Sequence, residues 1–348
     1  MDPLTQGVLG TVAAQQFAKP RVMAVASVLG ALSGMAPDLD VLISSDTDPL
    51  LALEYHRHFT HSLLFIPIGG FICALFFSLV FRSWIKHAKL SFKQVLLFCT
   101  IGFATHGLLD ACTTYGTQLL WPLSDMRVAW NTISIIDPLY TLPLLLLVIL
   151  AVVNRRRALL SKRLALAALA WVIVYSSLGV LQRERAEAAA WQVAAERGHN
   201  PSRLEAKPSF ANILVWKVVY QVEDRFYVDA VRVGLGGSKL YKGGSVPALD
   251  IERDFPWLAN DSQQAIDVER FRWFSNDYLA VSPRYPNRII DMRYSLIPNQ
   301  IKGLWGIELD ANAANDAHIH YASDHERSGS TFTLLWEMIR GKALAPSE

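Results

Sequence analysis

The chain has 348 residues, of which 52% are hydrophobic and 18% are charged, with a formal net charge of +2. Because an average soluble domain is about one quarter charged, this sequence is more apolar than a soluble core requires. The small net charge comes from local basic blocks and speaks against nucleic-acid binding, and the three cysteines, all in the apolar half, speak against a disulfide framework or a cysteine-type zinc site.

The apolar residues lie almost entirely before Gln182, and the remainder has the composition of an ordinary polar and aromatic sequence. This change predicts two domains. We expect residues 1–182 to form an α-helical transmembrane bundle and residues 183–348 to form a small soluble α+β domain outside the membrane. Residues 183–200 are expected to form the connecting helix.

Five segments are apolar and long enough to cross or enter a bilayer, where a full span takes about 20 residues. They are residues 22–35, 63–81, 94–109, 139–153 and 164–181. A weakly apolar helix over residues 5–17 precedes them, and because it is short and rich in Gln we expect it to pack against the bundle. The N-terminus lacks the features of a signal peptide, so this helix is expected in the mature protein.

The polar half begins with an Ala-rich helix that Gly198 and Pro201 should end. Residues rich in Val, Ile, Tyr and Trp then predict a hairpin. Five glycines in residues 234–244 lack the ending of a phosphate-binding loop and predict a flexible loop instead. The predicted elements are strands over 212–222 and 226–233, a helix over 262–274, and strands over 278–282, 288–296 and 304–309.

The connections between the apolar segments alternate in their basic content. One set holds the residues Lys19, Arg21, Arg82, Lys86, Lys89, Lys93, Arg155, Arg156, Arg157, Lys162 and Arg163. In the other set, residues 37–61 and 112–138, the basic residues are Arg57 and Arg127 alone. Basic loops stay in the cytoplasm, so the second set and the C-terminal domain are predicted on the outer side of a bacterial inner membrane. A soluble α-protein with buried helices would not show this alternation.

The outer connections and the adjacent helix ends contain the residue types that metals require. They are Asp38, Asp40, His56, His58, His61, His106, Asp110 and Asp137. Basic residues elsewhere in the chain assign all of them to one side of the membrane. Imidazole nitrogens and carboxylate oxygens are normal zinc ligands, so the sequence predicts a metal site at the outer end of the bundle.

His106 and Asp110 are four residues apart and therefore project from one face of a helix. In a soluble helix such a pair is more often a surface ion pair. Here the helix is apolar, and an ionisable residue at membrane depth is costly unless it has a partner. We therefore expect this pair to face the interior of the bundle.

The segment His56-Arg57-His58-Phe59-Thr60-His61-Ser62 precedes the next span. Thr60 or Ser62 is placed to cap that helix, and this role accounts for the hydroxyl groups. It does not account for three imidazoles within six residues, which are common metal ligands. The alternative is an interfacial loop with incidental histidines. Likewise, Pro37 and the two aspartates after it could simply end a helix.

These motifs resemble the bacterial membrane-bound metal-dependent hydrolase family. The stretches that carry the resemblance are Met1-Asp2-Pro3-Leu4-Thr5, Ala36-Pro37-Asp38-Leu39-Asp40, His56-Arg57, Thr60-His61-Ser62, His106-Gly107-Leu108-Leu109-Asp110 and Ile136-Asp137-Pro138-Leu139. The resemblance covers residues 1–150 strongly and the C-terminal half only in outline.

The resemblance implies metal ligands at Asp38, His61, His106 and Asp110, with His56 and Asp137 as further candidates for the same site. It also implies that Arg57 is placed to meet an anionic group of a substrate. One departure is Gln6, where the family commonly has a histidine after the threonine. The His-x-x-x-Asp element is similar to that of zinc-dependent phospholipases C.

The resulting hypothesis is a membrane-bound, metal-dependent hydrolase whose divalent metal, most simply Zn²⁺, activates a water. Asp40 or His58 would serve as general base or orient a ligand, and Arg57 would complete the catalytic set. A site at the membrane surface suits an ester or phosphoester of a lipid-like substrate. The alternative is a non-catalytic envelope scaffold with a structural or vestigial metal site. A proton- or metal-conducting protein would need ionisable residues spread across the bilayer.

Overall fold

A computed structural model describes residues 1–324 and 329–343, with backbone alone for residue 330. The chain divides into two compact units. The first contains residues 1–43 and 55–179, and the second contains residues 44–54 together with the chain from residue 180 onward. The short segment 44–54 therefore belongs with the C-terminal half, although it lies between two parts of the helical unit in sequence.

The elements have the following bounds. The α-helices are α1 (Pro3–Phe17), α2 (Met23–Met35), α3 (Leu51–Tyr55), α4 (Ile66–Val80), α5 (Arg82–His87), α6 (Phe92–Ala111), α7 (Pro138–Val153), α8 (Ala158–Glu196), α9 (Ile251–Asp254), α10 (Gln263–Phe274) and α11 (Gly329–Ile339). Short 3-10 helices cover Pro20–Val22, Ala36–Leu42, Phe59–His61 and Leu63–Phe65. The strands are β1 (Arg203–Pro208), β2 (Val215–Val222), β3 (Arg225–Gly234), β4 (Gly237–Pro247), β5 (Leu279–Val281), β6 (Arg288–Asp291), β7 (Trp305–Glu308) and β8 (His320–Ser323).

Within the described residues, four helical stretches are long and apolar enough to cross a membrane. They are Pro20–Leu42, Leu63–Val80, Phe92–Ala111 and Ala158–Glu196, and Pro138–Val153 is a shorter apolar helix. The predicted helical character of the N-terminal half is confirmed. Helix α8 differs from the prediction in one respect, because the apolar segment and the connecting helix form one uninterrupted helix of 39 residues.

Helices α1, α2 and α6 pack at very short range through glycines. A Cβ added to Gly30 would lie 2.4 Å from the Gly10 carbonyl oxygen and 2.6 Å from the Ala14 Cβ, and one added to Gly102 would lie 2.4 Å from the Gly30 oxygen. Small residues allow such close contact between membrane helices, where dispersion replaces the hydrophobic effect. Leu29 and Phe98 belong to the buried apolar cluster beside this contact.

The second unit contains two antiparallel four-stranded sheets, in the orders β1-β2-β3-β4 and β5-β6-β7-β8. The predicted hairpin is present as β2 and β3, with Val219 opposite Val228. Phe226, Tyr278 and Ile290 share a buried core cluster, which joins residues from both sheets. With the helices of this unit, the arrangement confirms the α+β prediction.

The prediction of a flexible loop over residues 234–244 is wrong. Strands β3 and β4 form a hairpin there, closed by the pair Gly234 and Gly237. Gly243 allows close packing of the two strands, because a Cβ at this position would lie 2.2 Å from the Val228 carbonyl oxygen. A glycine-rich composition alone does not distinguish closely packed strands from a flexible loop. Strand β6 is also shorter than predicted, since it ends at Asp291.

Candidate metal site

Three segments of the first unit bring the predicted metal-binding residues together. Asp38 and Asp40 lie in the 3-10 helix that follows α2, and His61 ends the 3-10 helix Phe59–His61. His106 and Asp110 are one turn apart on α6. Between them, Gly107 is required, because a Cβ there would lie 2.2 Å from the carbonyl oxygen of His61. The glycine therefore permits the approach of the two histidines.

Asp38, His61, His106 and Asp110 each present one ligand atom, and these four atoms lie within 4.8 Å of one another. The His61 Nε2 is 3.2 Å from Asp110 Oδ2 and 3.5 Å from Asp38 Oδ1. The His106 Nε2 is 3.2 Å from Asp38 Oδ1 and 3.5 Å from Asp110 Oδ2. A tetrahedron with zinc–ligand bonds of about 2.0–2.1 Å has edges of about 3.3–3.4 Å. The four nitrogen–oxygen distances therefore match the edges of a tetrahedral zinc site.

Both imidazoles are oriented by bonds from their outer nitrogens. The Nδ1 of His106 is 2.6 Å from the Gly34 carbonyl oxygen, to which it can only donate. The Nδ1 of His61 is 3.2 Å from Asp40 Oδ2 and 2.9 Å from Thr60 Oγ1. With Nδ1 as the donor, the neutral form of each ring carries its lone pair on Nε2, the atom that lies beside Asp38 and Asp110. Histidine ligands of metals usually have such a partner on the second nitrogen.

The donor set is buried and incompletely satisfied. The side chains of His61, His106 and Asp110 are inaccessible, whereas that of Asp38 is 21% exposed. Among the described residues, His61 Nε2 and Asp110 Oδ2 lie in ion-pair contacts but make no hydrogen bond of good geometry, a costly state for buried polar atoms. Burial lowers the pKa of His61, but the carboxylates of Asp110, Asp38 and Asp40 outweigh burial and raise the pKa to about 10. The pocket therefore favours a positive charge at its centre.

Asp40 contacts several groups of the segment that carries His56 and His61. Its Oδ1 is 2.8 Å from His56 Nδ1, and its Oδ2 accepts hydrogen bonds from the Arg57 backbone N–H at 3.0 Å and from Thr60 Oγ1 at 2.8 Å. Asp38, Asp40 and His56 form a second group with metal-ligand spacing. The carboxylate of Asp38 thus belongs to both groups.

Arg57 is buried, with a left-handed backbone φ of 65°. Its Nε lies 3.0 Å from Asp110 Oδ2, and its NH1 donates to Thr113 Oγ1 at 2.8 Å. Its guanidinium carbon lies 4.7 Å from the centre of the Tyr115 ring. The Arg57 guanidinium therefore pairs with the carboxylate of Asp110 inside the protein and does not face solvent.

The other oxygen of Asp110 faces the N-terminal segment. The Gln6 side-chain amide donates to Asp110 Oδ1 at 2.8 Å, and the α-amino group of Met1 contacts the same oxygen. Gln6 is completely buried, and within the described chain its Oε1 has no hydrogen-bond partner. The residue that departs from the family pattern thus lies beside the candidate ligands.

The structure does not place His58 or Asp137 in either group of ligands. The ring of His58 lies 5.4 Å from that of Trp121 and 5.3 Å from that of Tyr55. Asp137 caps α7, where its Oδ1 accepts from the backbone N–H of Leu139 at 3.1 Å, and its Oδ2 accepts from Tyr175 at 2.8 Å. Burial raises the pKa of Asp137.

Sequence reasoning did not identify several supporting groups. The sequence predicts Thr60 only as a helix cap, but its hydroxyl donates to Asp40, and Ser62 takes the capping position. The Gly34 carbonyl and Tyr115 carry no motif that would single them out. Gln6 has a signal in the sequence, because the family that the motifs resemble commonly has a histidine at this position after the threonine.

A sequence model of the YdjM inner membrane protein family matches residues 1–186. Inner membrane protein YbcI of Escherichia coli (strain K12) is 34% identical over 110 residues, which cover 30% of this chain and 60% of YbcI. Uncharacterized protein YfhP of Bacillus subtilis (strain 168) is 29% identical over 119 residues, which cover 33% of this chain and 34% of YfhP.

The chain therefore spans less than two thirds of each of these relatives, and no solved structure matches it. The family and the apolar helices together establish an inner-membrane protein. Since the family match covers more than half of the sequence, this chain belongs to the YdjM inner membrane protein family, the membrane-bound metal-dependent hydrolase family that its motifs resemble.

Proposed function

We propose that this protein is a metal-dependent hydrolase of the bacterial inner membrane that acts on an ester or phosphoester of an amphiphilic substrate. The observation that carries the proposal is the convergence of four ligand atoms from Asp38, His61, His106 and Asp110, which lie within 4.8 Å of one another and have nitrogen–oxygen distances of 3.2–3.5 Å. Two nitrogen and two oxygen donors suit Zn²⁺. A bound zinc ion would supply an activated water near neutral pH.

The surrounding residues divide the remaining tasks. Asp40 acts as a positioning residue, because its oxygens hold His56, His61 and the backbone of Arg57. Arg57 pairs with the buried carboxylate of Asp110 and fixes its position. Asp38 and His56 are 21% and 23% exposed, so a substrate would approach from their side.

The membrane position supports an amphiphilic substrate. Asp38 belongs to the apolar stretch Pro20–Leu42, and His106 and Asp110 belong to the stretch Phe92–Ala111. The ligands therefore lie at the ends of helices that can cross a bilayer, near the depth of lipid headgroups. From the basic loops we propose that this end and the C-terminal domain, residues 183–348, face away from the cytoplasm.

A non-catalytic scaffold is the second candidate, and one observation favours it. Four protein ligands complete a tetrahedron, which is typical of structural zinc sites, whereas catalytic sites keep a position open. The hydrolase proposal therefore needs either a fifth position at the metal or a second ion on Asp38, Asp40 and His56. Metal stoichiometry and coordination number distinguish the two functions.

The test is metal analysis of the full chain purified in detergent, comparing wild type with His106→Ala and Asp110→Ala. The exposed His320→Ala is the matched control. We expect bound zinc to be lost in the two site variants and retained in the control, and equal zinc in all four proteins would refute the metal site. X-ray absorption then gives the coordination number of the bound zinc. The zinc-loaded protein is also tested for cleavage of phospholipids and of a chromogenic phosphodiester. Four protein ligands together with no cleavage would favour the scaffold.

A further inference from the structure

One end of the first sheet in the second unit carries apolar side chains in water-accessible positions. Leu235, at the tip of the β3–β4 hairpin, is fully exposed, and Trp336, Phe332 and Phe210 are 57%, 46% and 36% exposed. The rings of Phe210 and Phe332 lie 6.2 Å apart, and Phe332 and Trp336 are one helical turn apart on α11. We call these four residues the apolar tip.

The parts of the apolar tip are fixed to one another. The side chain of Arg232 donates to the Ile339 carbonyl at 2.7 Å, and that of Lys239 donates to the Gly341 carbonyl at 2.8 Å. Arg232 and Lys239 are cross-strand partners just before the hairpin tip. The hairpin and the end of α11 therefore form one rigid surface.

The same end of the sheet contacts α8 just after its apolar run. The last residue of that run is Leu181, and the side chain of Gln182 donates to the carbonyls of Ile213 at 3.3 Å and Val233 at 3.1 Å. Arg185 donates to the Gly234 carbonyl at 2.6 Å. With a rise of about 1.5 Å per residue, these contacts lie within one turn of the point where α8 would leave the hydrocarbon.

The chemistry around the apolar tip matches a lipid headgroup region. Trp and other amphipathic rings are favoured at this depth, and basic side chains near an anionic membrane surface are attracted to it. The basic residues near the tip are Arg185, Arg232, Lys239, Arg340 and Lys342. Glu337 on the same helix lies 3.8 Å from the Lys342 ammonium, so its charge is partly compensated.

We propose that the apolar tip inserts into the interface of the membrane that α8 crosses, with the surrounding basic residues on anionic headgroups. A membrane is the occupant that the structure favours, because the contacts of Gln182 and Arg185 place the tip at the level where α8 becomes polar. This inference is independent of the metal site and of any hydrolase activity.

The test places a photoreactive diazirine amino acid at position 235 of the full chain, reconstituted in nanodiscs of phosphatidylcholine and phosphatidylglycerol. Position 266 is the matched control, because Ile266 is an apolar side chain of the same unit that is 51% exposed on α10. After illumination, mass spectrometry counts lipid adducts. We expect severalfold more lipid adducts at 235 than at 266, and a further increase with the phosphatidylglycerol content.

Equal lipid labelling at the two positions would overturn the proposal. Crosslinks from position 235 to a second copy of the chain would also overturn it, since the tip would then be a protein interface. Labelling that is higher at 235 but independent of phosphatidylglycerol would remove the role of the basic residues. Both positions are exposed, so neither substitution is expected to affect folding.

Discussion

Asp110 concentrates the electrostatic features of the site in a single residue. Its carboxylate is completely buried, and its two oxygens meet the side chains of Arg57, His61 and Gln6. A buried charge is tolerated only when it is paired and hydrogen-bonded. Among the described residues of the cluster, the carboxylates of Asp38, Asp40 and Asp110 face the positive groups of Arg57 and Met1 and the imidazoles of His61 and His106. A metal cation bound by the carboxylate oxygens and the imidazole Nε2 atoms would replace the proton that otherwise lies on His61.

At Gln6 we predict that an added imidazole strengthens metal binding. Gln6→His places a nitrogen ligand where the amide now donates to Asp110, so zinc affinity should rise by about tenfold, or about 1.4 kcal/mol. Competition with a chelating dye measures the affinity in detergent. Gln6→Leu is the control, because it fills the space without offering a ligand. If both variants bind zinc equally, Gln6 does not face the ion.

At Asp40 we predict a loss of affinity without loss of a ligand. Both carboxylate oxygens of Asp40 accept hydrogen bonds, whereas an asparagine side chain has one oxygen that accepts and one NH2 group that only donates. Because Asp40→Asn loses one of these acceptors, His61 loses its orientation. Substitution of a residue that orients a metal ligand lowers metal affinity by about 10–100-fold. The exposed Asp46→Asn should bind zinc as the wild type does. Wild-type affinity in Asp40→Asn would show that Asp40 does not position the ligand.

The sequence predicts which residues supply metal ligands but not which groups orient their side chains. Counting basic loops placed Asp38, His61, His106 and Asp110 at one end of the bundle, and the structure brings these four together. The sequence could not assign the Gly34 carbonyl to His106, because backbone acceptors carry no residue signature. Nor could it show that Arg57 lies buried against Asp110, since an arginine in a loop is usually exposed.

At the scale of elements, the contact of α1, α2 and α6 determines whether the ligands meet. Gln6 is on α1, the Asp38 segment follows α2, and His106 is on α6. Apolar composition predicts that these helices exist. It does not predict their register, which depends on which glycines oppose one another.

Gly30→Ala should therefore weaken both the fold and the site. The new methyl group would lie 2.4 Å from the Gly10 carbonyl oxygen, so helices α1 and α2 must separate. Overpacking of this kind costs about 1–3 kcal/mol. We expect a lower melting temperature in detergent together with reduced zinc binding.

The matched control for Gly30→Ala is Gly236→Ala, since a Cβ at Gly236 would have no heavy atom within 4 Å. Its melting temperature and zinc content should match the wild type. If Gly30→Ala were as stable as this control, the close helix contact would not hold the bundle together.

At the scale of the whole molecule, the second unit holds the segment that joins two parts of the metal site. Residues 44–54 follow Asp40 and precede His56, and they belong to the second unit. Arg270 on α10 binds Asp48 at 2.8 and 3.0 Å and Glu54 at 2.6 and 3.0 Å, and it also donates to Asp267 at 2.8 Å. One guanidinium thus binds two residues of the segment, Asp48 near its middle and Glu54 at its end. No pattern in the sequence predicts this contact, because Arg270 lies more than 200 residues from Asp48 and Glu54.

Arg270→Lys should loosen the segment and thereby weaken metal binding. Lysine keeps the charge but cannot bind two carboxylates in the bidentate geometry of arginine, and hydrogen bonds between charged groups contribute about 1.5–3 kcal/mol each. We expect faster proteolysis within residues 44–54 and a fall in zinc affinity of up to about tenfold. Arg272→Lys is the control on the same helix, because Arg272 pairs with Glu269 and Asp277 instead. If Arg270→Lys changed proteolysis but not zinc affinity, the C-terminal domain would hold the segment without influencing the ligands that flank it. If neither quantity changed, the arginine would not hold the segment at all.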